Sequence, residues 1–230
     1  MVLYFIHGLN GSAENWAPFL HYFSKQGFKC QAISLKRGMN LRKTHLIDYV
    51  NKVNSIVNEK DIVIGHSMGG LIMQKVAEQT NIKGGIGICP APPGGVAMKK
   101  IPLWRQVRYV PYIVLGIPFK PSFGLVTEIF LNDMKEEEQR HIYNQLKKQS
   151  AYVSFETMNQ KIKVDEKKVS APLHFIARNN DKTIPVEVVK KIARKYNAPS
   201  KVIEGNHYIF HDHQKIIPVI SSFLLQIMSS

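Results

Sequence analysis

Asp61-Ile62-Val63-Ile64-Gly65-His66-Ser67-Met68-Gly69-Gly70 is the stretch that decides the fold, because a short apolar run passes through Gly-x-Ser-x-Gly directly into Leu71-Ile72-Met73-Gln74-Lys75-Val76-Ala77. The residues before Gly65 are β-branched and of buried-strand type. Those after it place apolar side chains at 71, 72, 73, 76 and 77, the spacing of a packed helix face. The pattern predicts a strand, a tight turn and a helix with Ser67 on the turn, which is a nucleophile elbow. A serine hydroxyl is a weak nucleophile until its proton is taken. The chemistry therefore needs Ser67 exposed on such a turn, within reach of an imidazole. Glycines at 65 and 69 leave room for the turn. The plainer reading, a glycine-rich turn with an incidental serine, is disfavoured by the strand and helix on either side.

Outward from the elbow, strand and helix signals alternate. Residues 2–6 read as a strand ending at His7-Gly8, and Ser12 can cap a helix to about 26. Residues 29–34 give a second strand, Thr44 caps a helix to about 58, and 84–89 give the strand after the elbow helix. Pro90, Pro92, Pro93, Gly94 and Gly95 then break the pattern, and alternation is absent to about 170. Within that stretch 132–150 reads as one helix. Asp133 and Glu136 to Glu138 stand near its start and Lys147-Lys148 at its end, which complements the helix dipole. Alternation resumes with a strand at 173–177, a helix at 186–196, a strand at 201–204 and a final helix at 214–228. The expected fold is α/β, a mostly parallel sheet of about six strands flanked by helices. Its core is 1–91 and 171–230, with a helical cap inserted at 92–170. Parallel sheets are covered on both faces and bind ligands beyond the carboxyl ends of their strands. The loops after 2–6, 61–65 and 173–177 all lie at that edge.

A serine on an elbow needs an imidazole held by a carboxylate, both leaving the sheet at the same edge. The last strand is followed by Asn206-His207, which makes His207 the candidate base. The strand before it is followed by Arg178-Asn179-Asn180-Asp181, which makes Asp181 the candidate orienting acid. His211 and His213 rival His207 but fall at the start of the final helix. Asp133 and Asp165 rank below Asp181 because they lie in the inserted stretch. An isolated histidine or loop aspartate is more often a solvated or capping residue. Backbone amides of Met68, just after Ser67, and of Leu9, just after His7-Gly8, are placed to face a developing oxyanion.

Bulk properties narrow the field. The 230 residues suit one large domain, or one with an insertion. Thirty-one basic against 17 acidic side chains leave +14, an excess that favours anionic surfaces. These charges are spread in pairs such as Lys99-Lys100 and Lys190-Lys191, without a nucleic-acid motif, so no nucleic acid is expected as partner. Weak contact with an anionic membrane surface stays open, Arg105 and Arg108 being nearby candidates. Cys30 and Cys89 form neither a disulfide framework nor a metal spacing, and both read as buried thiols. No secretory leader is visible, which sets a cytoplasmic expectation. The apolar window 101–123 is broken by Arg105, Arg108, Pro111, Pro118 and Lys120 and does not read as a spanning helix. Its greasy side chains, including Ile101, Leu103, Trp104, Tyr109, Val114 and Phe119, either line an apolar acyl pocket or pack the cap onto the core.

With IHGLNGS, GHSMGG, Asp181 before Thr183-Ile184-Pro185, and Gly205-Asn206-His207 in order, the chain resembles the α/β-hydrolase superfamily over about 1–91 and 171–230. The resemblance implies a serine hydrolase in which Ser67 attacks a carbonyl, His207 shuttles the proton and Asp181 orients the imidazole. It implies an acyl-enzyme released by water, with no cofactor and no metal. The expected substrate is a hydrophobic carboxylic ester, thioester or monoacyl lipid. The same triad serves lactonases, carbon–carbon bond hydrolases, hydroxynitrile lyases and acyltransferases, and a non-catalytic ligand receptor is a further alternative. The chain departs from the family in two ways. It begins at what would be the third strand of the superfamily sheet, a minimal version, and it carries Arg178 where glycine is common three residues before the acid.

Overall fold

The computed structural model describes residues 1–98 and 107–229. Six strands form one parallel sheet: β1 (Val2–Ile6), β2 (Lys29–Ile33), β3 (Ile62–His66), β4 (Gly84–Ile88), β5 (Leu173–Arg178) and β6 (Ser200–Ile203), in the order β2-β1-β3-β4-β5-β6. Strands β3 and β4 are buried along their whole length. That burial explains why both read as unbroken apolar runs.

Successive side chains on a strand point to opposite faces, and the core divides accordingly. Tyr4, Ile6 and Val63 pack with α2 (Leu46–Asn54), α3 (Met68–Gln79) and α8 (Val186–Lys195) on one face. Leu3, Phe5, Ile62 and Ile64 pack with Phe19 and Phe23 of α1 (Ala17–Lys25), and with Ile220 and Phe223 of α9 (Ile217–Ser229), on the other. Between β4 and β5 lie α4 (Val110–Val114), α5 (Phe123–Ile129), α6 (Glu136–Gln145) and α7 (Ala151–Met158). Val153 of α7 belongs to the same apolar cluster as Tyr49 and Val50 of α2.

Several local expectations are corrected. The helix expected over 132–150 is only α6. Leu146 turns extended (φ −61°, ψ 135°), and Gln149 instead forms an antiparallel bridge with Phe119. The three glutamates do occupy the first turn of α6, whereas Lys147 and Lys148 lie beyond its end. Thr44 does not cap α2; its hydroxyl donates to the Asn40 carbonyl and His45 takes the capping position. Ser12 opens a short 3-10 turn (Ala13–Trp16) from which α1 follows. Cys89 is buried, but Cys30 on the edge strand β2 is only partly so. Ile101, Leu103, Trp104, Arg105 and the pair Lys99-Lys100 fall outside the described residues. Among the described residues, no helix is long and apolar enough to cross a membrane.

Candidate active site

Ser67 sits between the end of β3 and the first turn of α3 with φ 54° and ψ −120°, a conformation that L side chains avoid. Such a backbone costs roughly 1–3 kcal/mol and persists only where its surroundings impose it. Here the neighbours do so. A Cβ on Gly65 would strike the Gly69 carbonyl, and a Cβ on Gly69 would strike the carbonyl of Ile6 at the end of β1. A Cβ on Gly8 would come within 2.9 Å of the Ser67 Cβ. The three glycines thus let the elbow, its helix and the loop after β1 press together. Ser67 is not exposed as expected: it is buried beneath the residues that join β4 to β5 and is reached through the cavities it lines.

The structure brings Ser67, His207 and Asp181 into one hydrogen-bonded chain. The Ser67 hydroxyl donates to His207 Nε2 at 3.0 Å, and His207 Nδ1–H donates to Asp181 Oδ2 at 2.7 Å. The other carboxylate oxygen of Asp181 accepts the amides of Thr183 and Ile184, each at 2.8 Å. Asp181 is therefore held on both oxygens. His211 and His213 do not join the chain; they bond the carbonyls of Tyr208 and Phe210. Asp165 caps a 3-10 turn, and Asp133 accepts from Asn132.

Four residues that the sequence left unassigned hold this arrangement. His66 Nε2–H donates to the His207 carbonyl at 2.9 Å, and burial keeps its pKa well below the ordinary histidine value, so it is a neutral donor. Arg178, fully buried at the end of β5, pairs with Asp212, and its guanidinium fills the space where a side chain at Gly205 would lie. The arginine that departs from the family pattern thus supports the loop carrying His207. Asn179 and Asn180 zip the acid loop to the histidine loop, Oδ1 of Asn179 accepting from Gly205 N–H and Asn180 N–H donating to the Gly205 carbonyl, both at 2.9 Å. The one signal in the sequence was Gly205 itself, two residues before the histidine, which the structure places at φ 132°.

Residues 3–218 match the alpha/beta hydrolase family. The chain belongs to that family. Among solved alpha/beta structures, it is similar to a hydrolase from Oleispira antarctica at 16% identity, covering all of this chain and 91% of that one with a TM-score of 0.78. A lipase-esterase related protein from Clostridium acetobutylicum shows 17% identity, 96% and 93% coverage and a TM-score of 0.74. A methylesterase from Arabidopsis shows 14% identity, 100% and 99% coverage and a TM-score of 0.71. At such identities the likeness is one of fold. No curated protein matches the chain.

Two cavities meet at Ser67 in this alpha/beta hydrolase. A small one, about 50 Å³, is lined by His207, Tyr208, Asn15, Ile142 and Leu146. A large one, about 450 Å³, is lined by Ala91, Ile113, Phe119, Phe155 and Met158, with Lys182 on its wall. Leu9, Asn10, Ser67, Pro121 and Phe130 border both. Met68 is the first residue of α3, so its N–H has no acceptor within the helix. Cys89, Asp181 and His207 place donor atoms within 4.8 Å of one another, the tightest grouping of metal-ligating types among the described residues. Yet burial and the Asp181 carboxylate push the Cys89 thiol well up, and Asp181 and His207 are committed to each other. That set suits a proton relay better than a metal, which requires a thiolate.

Proposed function

We propose that the protein is a serine hydrolase that cleaves a hydrophobic carboxylic ester, thioester or monoacyl lipid through an acyl-enzyme on Ser67. The single observation that carries the reading is the Ser67–His207–Asp181 chain, with spacings of 3.0 and 2.7 Å, opening onto an apolar cavity. His207 Nε2 removes the hydroxyl proton as Ser67 Oγ attacks the carbonyl carbon. Asp181 holds the tautomer that leaves Nε2 free to accept, and it stabilises the imidazolium that results. The negative charge that forms on the carbonyl oxygen is met by the backbone N–H groups of Met68 and Leu9, each worth roughly 3 kcal/mol in such sites. Collapse expels the alcohol or thiol with the proton from His207. Water, activated by the same imidazole, then releases the acid and restores Ser67. No cofactor or metal enters this scheme. Residues 92–170 act as the cap that supplies most of the apolar walls. The methylesterase and lipase-esterase structures of the same fold agree with ester chemistry without specifying it.

The test is a fluorophosphonate probe with intact mass readout on wild type and Ser67→Ala, run beside methyl esters of straight-chain acids. Wild type is expected to gain one adduct on Ser67, and the variant to lose labelling and at least about 10⁴-fold in turnover. A folded wild type that takes no adduct and turns nothing over would replace this reading with a non-catalytic ligand receptor.

A further inference from the structure

The two cavities that meet at Ser67 differ about ninefold in volume, 450 against 50 Å³, and His207 borders only the small one. That asymmetry bears on orientation. In acyl transfer the imidazole that takes the serine proton returns it to the leaving oxygen, so the leaving alcohol must lie on the imidazole side of the nucleophile. The acyl chain then extends the opposite way. Resting on the ester reading above, we infer that the enzyme takes esters of a small alcohol, of methyl or ethyl size, with a long apolar acyl chain. The alcohol sits in the cavity of His207, Tyr208, Ile142 and Leu146, and the acyl chain in that of Ala91, Phe155 and Met158.

Size and chemistry both support the assignment. An apolar cavity of about 150 Å³ admits a benzene ring, so the small cavity, a third of that, suits one or two carbons but not a ring. The large cavity falls within the roughly 300–1,000 Å³ range of small-molecule sites. Its walls offer aliphatic and aromatic carbon, against which each added methylene of an acyl chain is buried. Phe130, on the border of both cavities, lies edge-on to His207 with ring centroids 5.2 Å apart and separates the two arms.

The experiment crosses two substrate series: methyl esters from acetate to decanoate, and octanoates of methanol, ethanol, butanol and benzyl alcohol. The kcat/KM is expected to rise at least about tenfold from methyl acetate to methyl octanoate. It is expected to fall at least about tenfold from methyl to benzyl octanoate, although benzyl alcohol is the better leaving group. Two variants assign the arms. Leu146→Ala is expected to raise the benzyl-to-methyl ratio about tenfold while leaving the octanoate-to-acetate ratio in place. Met158→Trp is expected to lower the octanoate-to-acetate ratio and spare the alcohol ratio. Ratios within one variant are independent of the fraction folded. Ester turnover with flat or reversed preferences, or variants that move the opposite ratios, would overturn the assignment alone. No turnover of any ester would overturn the ester reading and the assignment with it.

Discussion

At the scale of single residues, His7 makes a pH prediction. It is 1% exposed, its Nδ1–H donates to the Gly8 carbonyl, and burial pulls its pKa down to about 4. The unfolded chain takes up a proton on this ring near its ordinary value of 6.5, whereas the folded protein does not until about 4. Between those values the unfolded state binds more protons, so stability rises with pH through this window. It is full above 6.5 and falls as the pH drops towards 4, by about 3 kcal/mol for this ring. His66, also pulled down by burial, adds a loss of the same sign. Urea unfolding of wild type at pH 7 and pH 4.5 is expected to show the decline, and His7→Gln to lessen it. An identical pH slope in that variant would remove His7 as a source. Another single-residue effect could be seen only in three dimensions. Arg178 stands where a glycine is common, and nothing in its neighbours in sequence announces that it supports the His207 loop from below.

At the scale of elements, the elbow works because two backbones approach more closely than any side chain permits. Gly69→Ala replaces a poor helix former in α3 with the best one, a change that in an open helix gains about 1 kcal/mol. Here the new Cβ meets the backbone carbonyl of Ile6, which cannot swing aside. Overpacking of that kind typically costs about 1–3 kcal/mol. The expected outcome is a lower Tm and slower fluorophosphonate labelling. Gly124→Ala at an exposed position of α5 meets nothing within 4 Å and serves as the contrast, with Tm unchanged or raised. Equal Tm changes in the two variants would show that the close approach does not constrain the elbow. The short helix α6 teaches the complementary lesson. Its charge pattern invites an extension to residue 150, but Lys147 N–H donates to the Asn10 carbonyl at 2.8 Å and Gln149 pairs with Phe119. Tertiary hydrogen bonds outcompeted helix propensity there.

At the scale of the whole molecule, residues 119–156 are tied to the loop after β1, to α2 and to the residues just before it by a seam of hydrogen bonds. Asn10 Nδ2 donates to the carbonyls of Lys147 and Phe119 at 2.9 and 3.3 Å, and the Ser150 hydroxyl donates to the Thr44 carbonyl at 2.6 Å. Tyr49 OH donates to Gln149 Oε1 at 3.1 Å, and the Glu156 carboxylate accepts the Leu46 amide at 2.7 Å. Asn10 has φ 58°, so Asn10→Gly keeps the backbone comfortable while removing both side-chain bonds. The Phe119 carbonyl keeps the Gln149 amide at 2.9 Å, whereas the Lys147 carbonyl loses its partner, which is expected to cost about 1–3 kcal/mol and to speed tryptic cleavage after Lys147 and Lys148. Unchanged cleavage would show that the seam is held elsewhere. The seam also holds Phe119, which lines the large cavity beside Ser67.

The sequence by itself determined the sheet, the elbow and the order of the candidate triad. Each depends on short-range regularities: β-branched runs, helix spacing, glycines beside a serine, and the rule that parallel strands deliver their following loops to one edge. Asp181 and His207 were legible for that reason, being the first such groups after β5 and β6. Only the tertiary structure decided the end of α6, the burial of Ser67, the roles of His66 and Arg178, and the two unequal cavities. Those features arise from contacts between residues far apart in the chain, His66 with His207 and Asn10 with Lys147. Close packing and hydrogen-bond satisfaction across such distances leave no mark on local composition.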